Sequence, residues 1–260
     1  MPSELLTERR GTVLVLTISD PPTRNTLSSQ VLAAGIETLG VAESDAQVAA
    51  VVLRGAGDHF CAGGNVRGLA ERREAGRAAQ RQMIEHLHQL VESLRAFPKP
   101  VIAAVEGAAA GAGFGLALAC DLIVAAQDAQ FTLSYARLGL SPDAGATWSL
   151  AQLLPRALVQ RLVWLAEPVG APRLHESGVV GWLAPKGEAL AEALRVAERL
   201  AAMAPNAISS AKELLQLAPT RSLHQQLAAE RDHFIDNLFH ANGAEGLQAF
   251  FEKRPARFDA

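Results

Sequence analysis

Apolar residues fall into short runs separated by glycine, proline and charge, and their period changes from run to run. Residues 12–19 (TVLVLTIS) and 48–54 (VAAVVLR) are rich in β-branched residues and predict strands. Asp20-Pro21-Pro22 ends the first, and the turn at 55–58 ends the second. Residues 27–41 have helical spacing, with Ser28 or Ser29 as N-cap. Residues 79–96 predict a second helix, closed by Phe97-Pro98-Lys99-Pro100. A strand over 101–105, a glycine-rich turn, an apolar helix near 113–119 and a strand over 122–126 follow. Strands alternating with helices predict βαβ units, hence an α/β fold with a largely parallel sheet.

From about residue 187 the pattern is helical to the end, and Pro205 marks a boundary. The expected division is a core over 1–204 and a helical appendage over 205–260. Apolar positions at helical spacing run along 221–251, among them Leu223, Leu227, Phe234, Leu238, Leu247 and Phe250. A stripe that long needs a covering surface. Self-association through these helices is expected.

Composition narrows the class. Of 260 residues, 49% are hydrophobic but only 5% aromatic, so the core is built from Ala, Leu and Val. The net charge of −3 and the lack of a basic face argue against a nucleic-acid partner. Arg67, Arg72, Arg73, Arg77 and Arg81 are interrupted by Glu71 and Glu74, as on a solvated helix or mobile loop. Cys61 and Cys120 lie in apolar or glycine-rich surroundings, the pattern of reduced, buried thiols in a cytoplasmic protein. Glu106, Asp121 and many glycines interrupt the longest apolar stretch, so no membrane span is expected. The first residues, MPSELLTERRG, lack the apolar region of a secretory signal.

Three glycine-rich segments could carry chemistry. The first, 60–65 (FCAGGN), follows a strand, and its small residues let a ligand approach the backbone. The second, 106–115 (EGAAAGAGFG), feeds a helix and offers free N–H groups at the positive end of the helix dipole, suited to a phosphate or an oxyanion. Its spacing is not that of a dinucleotide site, since Leu116 replaces the third glycine or alanine, and no Walker Lys-Ser/Thr follows. The third, 138–147 (LGLSPDAGAT), resembles a serine nucleophile elbow at Gly139 and Ser141, but Asp143 stands where that motif needs glycine. Each segment also has a plain structural reading: an ordinary turn, tight helix packing, and Asp143 as a helix cap. His86 and His88 are two apart on a helix and face different ways, and no Cys or His cluster has zinc spacing, so no metal is expected.

In order and spacing, these segments resemble the crotonase (enoyl-CoA hydratase/isomerase) family. The resemblance begins at 22–27 (PTRNTL). It continues through 59–69 (HFCAGGNVRGL), 99–126, 129–147 and 211–215, and closes at 245–258 (EGLQAFFEKRPARF). It implies a crotonase-like spiral of ββα units followed by a helical trimerisation segment, giving a trimer or a dimer of trimers. It implies an acyl-CoA thioester as substrate, with no cofactor beyond the coenzyme A that the substrate brings. It places the oxyanion-binding N–H groups at Gly64 and Ala112. It puts Ala62 and Leu69 along the adenine and pantetheine path, Arg24 and Lys253 at phosphates, and Phe250 as a contact from a neighbouring subunit. Phe114, Tyr135 and Trp148 are candidates for the acyl pocket, with core packing the expected role of at least one. The two glutamates of the family's hydratases match Gly115 and Tyr135, neither of which supplies a carboxylate. Asp143 matches an aspartate of some isomerases in the family, particularly the phenylacetate-pathway ring-epoxide isomerase branch. An isomerase using Asp143 as acid and base is therefore expected. A hydratase with relocated groups is the alternative, and a weakly catalytic scaffold or RNA-binding member is the reading from another class.

Overall fold

The computed structural model describes residues 3–258. A six-stranded sheet carries β1 (Glu4–Arg10), β2 (Val13–Ser19), β3 (Ala50–Gly55) and β4 (Val101–Val105). A second, three-stranded sheet begins with β5 (Ala108–Ala110); β6 (Leu122–Ala126) returns to the large sheet and β7 (Gln130–Thr132) to the small one. Strand β8 (Val169–Gly170) ends the small sheet and β9 (Trp182–Ala184) the large one. The large sheet runs β1-β2-β3-β4-β6-β9, parallel throughout except for the antiparallel β1–β2 pair. From β4 onward the chain winds between the two sheets, giving β5, β7 and β8 to the small sheet and β6 and β9 to the large one, in keeping with the spiral that the family resemblance implies.

The helices are α1 (Ser29–Ser44), α2 (Val66–Ala75), α3 (Arg77–Ala96), α4 (Ala112–Ala119), α5 (Ala146–Leu153), α6 (Arg156–Trp164), α7 (Ala171–Glu176) and α8 (Ala189–Ala201). The C-terminal region adds α9 (Pro205–Leu217), α10 (Leu223–Phe239) and α11 (Ala241–Glu252). Ser28 caps α1 by accepting from the Val31 N–H at 3.2 Å, a bond worth about 1 kcal/mol.

Both faces of the central strands are buried, which is why they read as continuous apolar runs rather than alternating ones. Val51, Leu53, Val101, Ala103 and Val105 face one core with α1, α3 and α4. Val15, Val52, Ile102, Ala104 and Val124 face the other, covered by Ala189, Ala193, Val196 and Ala197 of α8. Small residues on α8 allow a close approach, and each buried Val or Ile side chain contributes about 1.5–3 kcal/mol.

The C-terminal helices are held differently. Lys212 of α9 donates to Asp121 Oδ2 at 2.8 Å, and Gln216 donates to the Arg95 carbonyl at 2.6 Å. Asn206, Asn237 and Asn242 link α9, α10 and α11 through side-chain amides. No residue of α10 is buried, and Phe234, Phe239, Phe250 and Phe251 are all at least 70% exposed in the single chain. Among the described residues, no helix is long and apolar enough to cross a membrane.

Candidate active site

The first glycine-rich segment is fastened on both sides. Toward the second segment, the Cys61 N–H donates to the Ala108 carbonyl at 3.1 Å, and the Ala110 N–H donates to the Cys61 carbonyl at 2.8 Å. Toward the first turn of the chain, the Ala62 N–H donates to the Arg24 carbonyl at 2.9 Å, and the Leu27 N–H to the Gly63 carbonyl at 2.8 Å. Beneath this lies Asn25, fully buried and in a left-handed conformation (φ 60°). Its Oδ1 accepts from the Asp20 N–H at 2.9 Å, and its Nδ2 donates to the carbonyls of Ala56 and His59. Asn25 therefore fixes the Arg24 turn against the turn that leads to Gly64. The sequence showed it only as one letter of a motif, because its role comes from contacts made thirty residues away.

Gly63 brings the two turns into contact. It has φ 84°, and a Cβ there would lie 2.6 Å from the Ala110 carbonyl oxygen and 3.0 Å from the Ala112 nitrogen. Any other residue would wedge them apart. Ala112 opens α4, so its N–H is one of the helix's unsatisfied donors at the positive end of the dipole. Among the described residues, neither the Gly64 nor the Ala112 N–H has a hydrogen-bond partner. The space a Gly64 side chain would occupy is open.

Tyr135 and Asp143 join this group from the third segment. Tyr135 Oη donates to Asp143 Oδ1 at 2.5 Å. The hydroxyl lies 3.5 Å from where a Gly111 Cβ would be, one residue before Ala112. Burial pushes the Asp143 carboxyl above the ordinary carboxylate range, while the Tyr135 bond and the charge of His88 on α3 pull it back. Burial, and then the Asp143 charge, push the Tyr135 phenol far above its usual range, so it is a donor and not a base. Asp143 does not cap α5: its carbonyl accepts from the Ala146 N–H, but the cap position is Gly145 and no side chain bonds there. The capping role weighed for Asp143 is thus corrected, because its carboxylate turns inward to Tyr135.

The position matching the first hydratase glutamate is closed. Gly115 lies one turn into α4, and a Cβ there would sit 2.5 Å from the Ala144 Cβ and 2.8 Å from the Ala144 oxygen.

Other expected residues are distributed more widely. Leu69 lies half-buried on α2 beyond Gly64. Phe114 is fully buried with its ring centroid 4.9 Å from that of Phe131, so it belongs to the core. Trp148 is half-exposed on α5, with the Arg95 guanidinium 4.3 Å from its ring centroid, and so faces outward. Phe250 and Lys253 lie exposed at the end of α11. No hydrogen bond or ion pair among the described residues joins them to the two turns within one chain. Cys61 is fully buried, and burial pushes its thiol up to about 12, away from the thiolate that nucleophilic chemistry needs. The two carboxylates flanking the second segment serve the fold. Glu106 accepts from the N–H groups of Gly187 and Ala189 at the start of α8, and Asp121 accepts from the Val101 N–H and Lys212. An open groove of about 640 Å³ lies between α2, α3 and the 20–29 turn, lined by Asp20, Leu27, Asn65, Arg67, Arg72 and His86, and so adjoins the turn of Gly64. Among the described residues, no three His, Cys, Asp or Glu side chains converge as a metal would require.

Comparison with known proteins gives the family and the fold. The family model for enoyl-CoA hydratase/isomerase matches residues 8–260. The chain is 34% identical over 256 residues to the 2,3-dehydroadipyl-CoA hydratase of Escherichia coli (strain K12), covering 98% of each chain. It is 35% identical over 252 residues to the 1,2-epoxyphenylacetyl-CoA isomerase of the same organism, covering 95% of this chain and 94% of that one. The crystal structure of an enoyl-CoA hydratase from Polaromonas sp. JS666 superposes with a TM-score of 0.97 at 51% identity, covering 98% of this chain and 99% of that one.

Proposed function

The chain belongs to the enoyl-CoA hydratase/isomerase family, and from that premise we propose that it is an acyl-CoA isomerase in which Asp143 moves the proton. The observation that carries this reading is the Asp143 carboxylate, bonded to Tyr135 beside the Gly111–Ala112 turn, with position 115 closed to any side chain. A carboxylate with a raised pKa is a stronger base when ionised and a usable acid once protonated.

The reaction then runs in two proton transfers. Asp143 takes a proton from a carbon conjugated with the thioester carbonyl. The C–H electron pair moves into the acyl chain and leaves negative charge on the thioester oxygen. The N–H groups of Gly64 and Ala112 bond more strongly to that enolate oxygen than to the neutral carbonyl, so they lower the barrier. Protonated Asp143 returns the proton to a different carbon, and the double bond or ring closure shifts with no net change in composition. No metal or redox group is called on, and coenzyme A arrives as part of the substrate. The exposed apolar faces of α10 and α11 support assembly as a trimer or dimer of trimers, in which Phe250 and Lys253 would reach a neighbour's thioester. Free, buried Cys61 and Cys120 support a cytoplasmic setting.

Hydration by relocated groups is the second reading, favoured by the names of the Escherichia coli dehydroadipyl-CoA hydratase and the Polaromonas enzyme. Short 2-enoyl-, 3-enoyl- and ring-epoxide acyl-CoA substrates, with product analysis in deuterated water, separate the two. Isomerisation with no hydroxyacyl product is expected, with the migrating hydrogen largely retained because Asp143 returns the proton it took, and Asp143→Asn should reduce it by about 10²–10⁴-fold. Rapid water addition to 2-enoyl-CoA, or full isomerase turnover in Asp143→Asn, would overturn the proposal.

A further inference from the structure

We propose that Gly115 is a positioning residue whose missing side chain seats the Asp143 loop, so that a side chain on α4 at 115 and the Tyr135–Asp143 pair cannot coexist. The inference rests on the assignment of Asp143 as the acid–base group and adds what holds it there.

The loop reaches the site by an unusual path. Ala144 has φ 50° and Gly145 has φ 69°, two consecutive left-handed residues directly after Asp143. Ala144 is an L-residue with a Cβ in that region, a conformation that L side chains rarely adopt. It is nevertheless 1% exposed, pressed against α4 at Gly115. The contact supports the loop from below, while the bond from Tyr135 holds Asp143 from the side. A Cβ at 115 would meet the Ala144 Cβ at 2.5 Å and its oxygen at 2.8 Å. These are a backbone atom and the first atom of a side chain, so rotamer change cannot relieve the overlap. The loop must lift instead, and Asp143 lifts with it. Adding Glu at 115 therefore does not create a hydratase that keeps its isomerase activity; it displaces the carboxylate already present.

The test compares Gly115→Ala, Ala144→Gly combined with Gly115→Ala, and Asp143→Asn in the full chain. Tyr135 is the chain's one tyrosine, so its ultraviolet titration reports directly on the pair. Gly115→Ala should lower kcat by ~10²-fold, the effect of about 1 Å of misplacement, with a smaller change in KM. Its tyrosine should titrate below the wild-type phenol, because the Asp143 charge that adds to the effect of burial has moved away. The double variant removes the Ala144 Cβ and should recover at least about tenfold in kcat, together with the high tyrosine titration. If Gly115→Ala does not fold, Ala144→Ser presses on the same contact from the loop side and is read in the same two ways. A folded Gly115→Ala with wild-type kcat and an unchanged tyrosine titration overturns the proposal, as does a double variant that recovers neither. Full turnover in Asp143→Asn would remove the acid–base assignment instead, while the tyrosine titration would still report whether Gly115 seats the loop.

Discussion

Replacing Tyr135 by Phe removes one oxygen and leaves the ring packing in place. In the native protein that oxygen donates to Asp143 Oδ1 at 2.5 Å in a half-buried site. A hydrogen bond to a charged acceptor contributes about 1.5–3 kcal/mol. The bond favours the ionised form of Asp143, whereas burial opposes it. Without the hydroxyl, burial acts with less opposition, and the carboxyl holds its proton to higher pH. Each 1.36 kcal/mol is a factor of ten in the ionised fraction. On the acid side of the profile, kcat/KM in Tyr135→Phe should therefore fall by roughly ten- to a hundredfold. The deficit should shrink as pH rises and Asp143 ionises in both proteins. The assay is kcat/KM against pH for the isomerase reaction, with wild type and variant in the same buffers. A loss of the same size at every pH would mean that Tyr135 orients rather than ionises Asp143, and no loss would mean that the bond is not functional. Either result refutes the reasoning.

Three further outcomes are expected. Gly64→Pro deletes one oxyanion donor at a position whose side-chain space is open, so turnover should drop by about 3 kcal/mol of barrier with little change in melting temperature; steady-state kinetics with a thermal melt checks both. Lys212→Met leaves the Asp121 carboxylate, already raised by burial, without its ammonium partner. Because the folded pKa lies above the unfolded one, this site's stability is complete below the ordinary carboxylate range and is lost as pH rises through the folded value. Urea unfolding of Lys212→Met should thus show a loss of about 2 kcal/mol at neutral pH that largely disappears in acid. If the proposed trimer forms through α10 and α11, light scattering should give an oligomer for the wild type and a monomer for Phe234→Glu with Phe250→Glu, and an unchanged mass would show that these faces are not the interface.

Much of the fold was legible because the central strands are buried on both sides. The runs at 101–105 and 122–126 match β4 and β6 residue for residue. Strand β1 was not legible: at the sheet edge, ELLTERR leaves mostly charged, exposed residues, and its partner β2 supplies the pattern. Helix α2 was read only as part of a charged stretch, because none of its residues is buried. In the site, the glycine-rich segments marked the turns, and the family resemblance implied the donors at Gly64 and Ala112 and the carboxylate at Asp143. The Gly115–Ala144 contact had no such signal. It depends on a positive φ at an alanine, and sequence patterns carry no mark for that.

The stitch between the first two glycine-rich segments also bears on how the protein folds. Cys61 pairs with Ala109 in an isolated bridge, and these residues lie far apart in the chain with α2, α3 and β4 between them. Chain entropy must be surrendered over that whole interval before the first bond of the bridge forms. The β1–β2 hairpin and the isolated helices face no such delay. The Gly64 and Ala112 turns are therefore expected to come together after β3 and β4 have paired. During refolding, helical circular dichroism should thus return before the two turns of the proposed oxyanion site are joined.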